Sequence, residues 1–252
     1  MTAQSFSATG VVNQMVQAET AAWKRRQHWS YIKEERSNRT RGRLWKECVV
    51  ETSDGPLQRL LSVDGRPLSQ SEERAEDRRI EYLAKHPREL RRQTQWRNQD
   101  EARLPGLLGE LTAVFLFESE GEQGDFIRIA FRPNPSFRER TYQDRVVHAM
   151  SGVLLIHRPD MRLSELDVHF DHRVEFGYGL LGNVSDKTKF SLTRQEVVPG
   201  AWEPAKIQVH LDGTVLLLKS ISRDLESLQY GFRVVPQSLT VAEAAAMLRA
   251  KK

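Results

Sequence analysis

The sequence predicts an α+β protein: a highly curved antiparallel β-sheet, a half-barrel, with helices covering its concave face. Three observations predict this class. First, residues 166–180 alternate over an unusual length. Leu166, Val168, Phe170, Val174, Phe176, Tyr178 and Leu180 share one parity, Asp167, His169, Asp171, Arg173 and Glu175 hold the other, and only His172 interrupts. Strand side chains point alternately to opposite faces, so one face is apolar and the other polar, and such a strand would span ~50 Å. A strand that long twists and coils, and several side by side make a curved wall. Second, Asp54-Gly55, Asp64-Gly65, Pro199-Gly200 and Asp212-Gly213 punctuate the chain at strand-length intervals. Such pairs tolerate positive φ and favour hairpin turns. Third, residues 11–26, 104–113 and 138–150 carry apolar side chains at helical spacing, each with a face to bury against the sheet.

Each element follows from local pattern. Val11, Val12, Met15, Val16 and Trp23 mark the first helix. Strands over 29–35, 43–52 and 57–63 form a meander. Ser69 and Glu72 then fit a capping box, opening a charged helical insertion at about 69–103 that Pro87 divides in two. Pro105, Leu107, Leu108 and Leu111 make a short apolar helix or lid-like segment over 104–113. A hairpin follows over 114–118 and 125–132, ended by Pro133. After the helix at 138–150, a long meander runs through strands at 153–157, 165–180, 188–198, 203–211 and 214–222. Leu228, Tyr230, Phe232 and Val234 close it, and an alanine-rich helix over 240–250 ends the chain.

Composition narrows the function classes. The chain has 252 residues, 39% hydrophobic and 29% charged, which suits one domain, 1–252, with enough core to stand alone. Its 38 basic and 34 acidic residues are interleaved, so the net charge of +4 carries little information about a partner. Cys48 is the single cysteine, which excludes an intramolecular disulfide and a cysteine-based zinc site; its apolar neighbours Val49 and Val50 make it a core residue. No run reaches the length of a transmembrane helix. The first residues lack the regions of a signal peptide.

The order of elements, from helix through meander, helical insertion, hairpin and helix to a final long meander, resembles the outer-membrane lipoprotein carrier fold, the LolA/LolB-like half-barrel, and uncharacterised bacterial envelope proteins of that type. Local runs carry the resemblance: Val63-Asp64-Gly65-Arg66-Pro67-Leu68 before a charged helix, Phe126-Ile127-Arg128-Ile129-Ala130-Phe131-Arg132-Pro133, Gly152-Val153-Leu154-Leu155-Ile156, Phe176-Gly177-Tyr178-Gly179-Leu180-Leu181-Gly182, and Val198-Pro199-Gly200-Ala201-Trp202-Glu203-Pro204. The resemblance implies a concave apolar surface that holds lipoprotein acyl chains, and a periplasmic location. No functional residue of the family is carried over, because its lid-holding arginine and loop leucine have no match here.

A sheet with a continuous apolar face must cover it with helices or bind something there. The expected lining residues are Leu166, Val168, Phe170, Val174, Phe176, Tyr178 and Leu180, with Ile207, Val209, Leu216, Leu218, Tyr230 and Phe232 joining from later strands. Catalytic chemistry finds no support: there is no Gly-x-Ser-x-Gly elbow and no phosphate-binding loop, and no cofactor is expected. Asp167, His169 and Asp171, with His148 and His157, are the one metal-like arrangement, but paired charges on a solvated strand face explain them better, and no metal is expected. Arginine-rich stretches with aromatics at 23–26 and 91–96 have the ingredients of nucleic-acid contact, but a basic helix face with one buried tryptophan explains them better, so nucleic acid is not the expected partner. The expected function is thus a non-enzymatic envelope protein binding or carrying a lipid or lipoprotein acyl chain, with an envelope protein as a second candidate partner. The alternative is a protein-interaction or sensing module on the same fold with its core filled.

Overall fold

The computed structural model describes residues 7–176, 182–215 and 219–250. Side chains at 96–105, 107, 142–143, 176, 182, 214–215 and 219–222 fall outside that description. The described elements are, in order, α1 (Ala8–Lys24), β1 (His28–Ser37), β2 (Leu44–Thr52), β3 (Gly55–Val63), β4 (Arg66–Pro67), α2 (Gln70–Lys85), α3 (Pro87–Val114), β5 (Phe115–Gln123), β6 (Phe126–Pro133), α4 (Tyr142–Val147), β7 (Met150–His157), β8 (Arg162–Phe170), β9 (Val174–Phe176), β10 (Gly182–Val184), β11 (Lys189–Val198), β12 (Ala201–Val215), β13 (Lys219–Val235) and α5 (Val241–Ala250). The class is α+β. The thirteen described strands form one large sheet in the order β4-β3-β2-β1-β13-β12-β11-β8-β7-β6-β5, which is not closed; β10 pairs with β12 and β9, off that path. Every pairing with a described register is antiparallel. No helix among the described residues is long and apolar enough to cross a membrane.

Contacts group the chain into two compact units. One comprises residues 1–24 and 105–226, the other residues 25–104 and 227–252. In the second unit, α2 and α5 lie on one face of the β1–β3 meander. Cys48, Val50 and Leu57 from the strands meet Ile80 and Leu83 of α2 and Val241, Ala244, Ala245 and Leu248 of α5. The expected capping box is present: Ser69 accepts from the Glu72 amide while Glu72 accepts from that of Ser69. The opposite face of β1 and β2 carries an ionic cluster in which Lys33, Glu35 and Glu47 are buried and Arg39 caps them from solvent. Lys33 Nζ lies 3.0 Å from Glu35 and 2.9 Å from Glu47, and Arg39 reaches both carboxylates at 3.0 and 2.8 Å. Burial alone would raise the Glu35 pKa, but hydrogen bonds from Arg39, the charge of Lys33 and the Ser37 hydroxyl hold it down at about 2.

In the unit of residues 1–24 and 105–226, α1 packs Val11, Val12 and Met15 against Phe115, Ile127, Ile129, Phe131, Leu154 and Ile156 of the neighbouring strands. Fully burying each of these helix side chains stabilises by about 1.5–3 kcal/mol, which makes this face the main adhesive of α1.

Three expectations need correction. The long strand over 165–180 is two strands. β8 pairs with β7 and β11 and stops at Phe170; the chain bends at Asp171 and His172, and β9 pairs with β10 instead. The break falls where His172 interrupts the alternation. There the Asp171 amide still donates to Ala149 O, in step with the β7–β8 register, and its carboxylate accepts from the Ser151 hydroxyl; past that bond the chain turns away from β7. Residues 177–181, with Tyr178 and Leu180, lie outside the described residues. The expected turn at Asp212-Gly213 is not a turn: β12 runs through it to Val215 and pairs there with β10. Gly213 is needed for close approach, since a Cβ there would collide with the carbonyl oxygen of Asn183. Finally, 104–113 is no separate helix. α3 continues through Pro105 to Val114, and its end packs Leu111 and Val114 into the α1 cluster.

Gly213→Ala should therefore push β10 off β12. The expected loss is about 1–3 kcal/mol, the usual penalty for overpacking, read as a lower urea midpoint at unchanged m-value.

Candidate functional site: an apolar sheet face with a buried ionic end

Antiparallel partners directly opposite each other project to the same face, so register alone traces the apolar surface of the unit containing α1. One row crosses six strands through Phe117, Phe131, Gly152, Val168, Phe190 and Val209. The next runs through Ser119, Ile129, Leu154, Leu166, Leu192 and Ile207. With strands ~4.8 Å apart, each row is ~24 Å wide. Gly152 is the one missing side chain of the first row. A Cβ there would collide with the Asp167 carbonyl oxygen and crowd the Phe131 ring, so the phenyl ring fills the gap and β7 sits tight against β8.

The helix α1 covers only part of this surface. Its cluster reaches as far as Leu166 and Val168, which are half-buried. Phe190, Leu192, Ile207 and Val209 continue both rows and are also half-buried, but do not belong to that cluster.

Arg194 stands two residues after Leu192 on β11, at the same parity, and ends the apolar line with charge. Its Nη1 donates to Glu19 Oε1 of α1 at 2.8 Å and to Leu163 O at 3.1 Å, and its Nη2 donates to Trp202 O at 2.5 Å. Arg162 donates from Nε to the same Oε1 at 2.9 Å and from Nη1 to Gly200 O at 2.7 Å; the Leu163 amide adds a bond of 3.0 Å to Glu19. All three charged side chains are nearly buried, at 8–13% exposure. Burial pushes the Glu19 pKa up, but the charges of Arg194 and Arg162 and the bonds to it outweigh that, and the net shift is downward. The network continues through Trp202, whose Nε1 donates to Asp160 Oδ2 at 2.8 Å, and His157 Nδ1 lies 2.6 Å from Asp160 Oδ1.

The expected lining residues separate into groups. Leu166, Val168, Ile207 and Val209 share the rows. Phe170 and Val174 are buried instead with Ala149, beside Val146, Met150 and Val184, under α4. The side chain of Phe176, and Tyr178, Leu180, Leu216 and Leu218, lie outside the described residues. Tyr230 and Phe232 belong to the other unit and point to opposite sides of β1, because Gly231 at φ 69° shifts the strand's alternation between them. The Tyr230 hydroxyl donates to Glu34 at 2.7 Å, while Phe232 stacks on Tyr31 at 5.0 Å. Sequence reasoning missed Phe190 and Leu192, although their alternation within 188–198 was visible. It also missed the Glu19, Arg162 and Arg194 cluster, whose members are 143 and 175 residues from Glu19 in the chain and leave no local signal.

The side chains of Ser151, His169 and Asp171 meet near the end of β8, but not in the order of a catalytic triad. Asp171 accepts from Ser151 and lies 3.3 Å from His169 Nε2. A catalytic triad needs the imidazole between hydroxyl and carboxylate, whereas here the carboxylate is in the middle. Among the described residues no group of three His, Cys, Asp or Glu side chains is placed to hold a metal ion.

A carboxylate held below its ordinary pKa contributes stability above its unfolded pKa, about 4.3, and loses it as the pH falls through the depressed folded value. Docking of α1 should accordingly weaken in acid, starting below about pH 4.3 and deepening as Glu19 protonates. Glu19→Gln should cost about 3 kcal/mol at pH 7, since it leaves two buried guanidinium groups short of charge. It should also flatten this part of the stability–pH profile, measured by urea denaturation across pH 3–7. No protein-family model matches the chain, and no curated protein matches its sequence.

Proposed function

We propose that the protein is a non-enzymatic binder or carrier of a lipid or lipoprotein acyl chain in the cell envelope, with the periplasm as its compartment. In this reading the sheet curves as a half-barrel with helices over its concave side, and the ligand lies along the apolar rows. The observation that carries the reading is the mismatch between the rows and their cover. Phe190 and Val209 in one row, and Leu192 and Ile207 in the other, continue the apolar surface beyond the cluster that α1 buries. A surface of this kind binds by area and not by polar complementarity. At about 0.8 kcal/mol per buried CH₂, an acyl chain gains affinity with each methylene it lays down, with no dedicated polar group. The polar groups nearby support the same reading, because Arg162, Arg194 and Glu19 satisfy one another and none is spent on a reaction.

Native mass spectrometry of the purified protein, with organic extraction of the same sample, should find a co-purifying mass in the lipid range. A fluorescent fatty-acid probe should bind and be displaced by unlabelled fatty acid. Phe190→Asp and Ile207→Asp, which place charge in the half-buried part of the rows, should each weaken that binding at least about tenfold while circular dichroism stays unchanged; burying a carboxylate against a methylene chain costs well above the ~1.4 kcal/mol this requires. Apo mass and absence of probe uptake together would sink the carrier reading and favour the interaction module with a filled core.

A further inference from the structure

The solvent face of α2 carries charge that the fold does not use. Its carboxylates are mostly tied to cations: Glu72 to Arg66 at 2.8 Å, Glu76 to Arg79 at 2.6 Å, Asp77 to Arg59 at 2.7 Å and Glu81 to Lys85 at 2.7 Å. The cations Arg74 and Arg78 have no acidic partner among the described residues, and both are exposed. They stand one turn apart, about 6 Å, and Tyr82 follows at the same interval, 52% exposed and stacked on His86 at 4.3 Å. At 100° per residue, Arg78 is turned about 140–160° away from Ile80 and Leu83, the two residues that root α2 in the core. Glu73, the remaining free carboxylate, lies seven residues before Ile80 and so on Ile80's side of the helix. Arg88, in the first turn of α3, is a third exposed cation without an acidic partner among the described residues.

We infer that this stripe of Arg74, Arg78 and Tyr82 docks the protein on the anionic headgroups of a phospholipid bilayer. Charge complementarity selects that partner. Free cations one helical turn apart on an exposed helix face suit a flat surface of mobile phosphates. An exposed tyrosine with a polar tip suits the headgroup boundary. A nucleic acid presents denser phosphate, and a protein that tracks it needs a groove of one sign; here Glu81, seven residues after Arg74 and so beside it on the helix, breaks the sign. The inference rests on the proposed function only in its purpose, since an acyl carrier must reach a bilayer. The docking itself is measured without an acyl ligand.

The test is flotation of the full chain with vesicles of phosphatidylcholine, with and without phosphatidylglycerol. Binding is expected to the anionic vesicles alone and to fall with salt. Arg74→Gln with Arg78→Gln should weaken it about thirtyfold, from about 1 kcal/mol for each basic side chain near an anionic surface. The same double variant should keep full fatty-acid binding and an unchanged unfolding midpoint, because both arginines are exposed and neither is ion-paired among the described residues. Equal binding to neutral vesicles, indifference to the double substitution, or tighter binding to single-stranded RNA than to anionic vesicles would each overturn the inference. Loss of fatty-acid binding in the unsubstituted protein would instead overturn the carrier reading and leave the docking result standing.

Discussion

Strand register is the constraint from which the apolar surface follows. Six strands keep like faces aligned from Phe117 to Val209 and from Ser119 to Ile207, and a slip of one residue at any of the five junctions would turn the rest of the row to the other face. Close contacts help pin that alignment. Gly152 lets β7 approach β8 where any side chain would strike the Asp167 carbonyl, and the Phe131 ring occupies the space a side chain would have taken. Gly213 does the same for β10 and β12. Glycine costs conformational entropy in a strand, and here that cost is offset by a continuous face.

Carboxylates are buried in each unit, and in both cases they are matched by cations, of which only Arg39 is exposed. Glu19 gathers Arg162 and Arg194 at the end of the apolar line, while Glu35 and Glu47 share Lys33 and Arg39 on β1 and β2. Desolvating such groups is expensive, and replacing them all with well-packed apolar residues is often neutral or favourable. Their value lies in direction. An apolar helix face tolerates sliding and rotation, since hydrophobic contact is non-directional. Two guanidinium groups converging on one carboxylate set the azimuth and height of α1 over the sheet. The combination of greasy area for affinity and a buried ion set for geometry leaves the apolar rows beyond α1 as a defined surface.

Much of the fold was legible because it depends on local chemistry. The β1–β3 meander, the capping box at Ser69 and Glu72, the break at Pro87, the hairpin of β5 and β6 and the C-terminal helix all follow from turn residues, caps and periodicity within a few positions. The failures fall where local signals had two explanations. Asp212-Gly213 looks like a hairpin turn, and Pro105 like a helix boundary, until a neighbouring strand or a continuing helix resolves them. The apolar parity of 166–180 was right through Phe170, and the break at His172 was visible in the pattern but not its consequence, a change of strand partner.

Periodicity determined which residues of each strand are apolar together, because side chains alternate whatever the strand pairs with. Leu166, Val168, Ile207 and Val209 were identified on that basis alone. Which strands stand side by side, and hence that Phe190 and Leu192 bridge those pairs, was decided by hydrogen bonding between segments distant in the chain. The same holds for Glu19. Its meeting with Arg162 and Arg194 depends on α1 crossing strands more than a hundred residues away, and the energy that selects it exists only once the apolar face has formed and water has left.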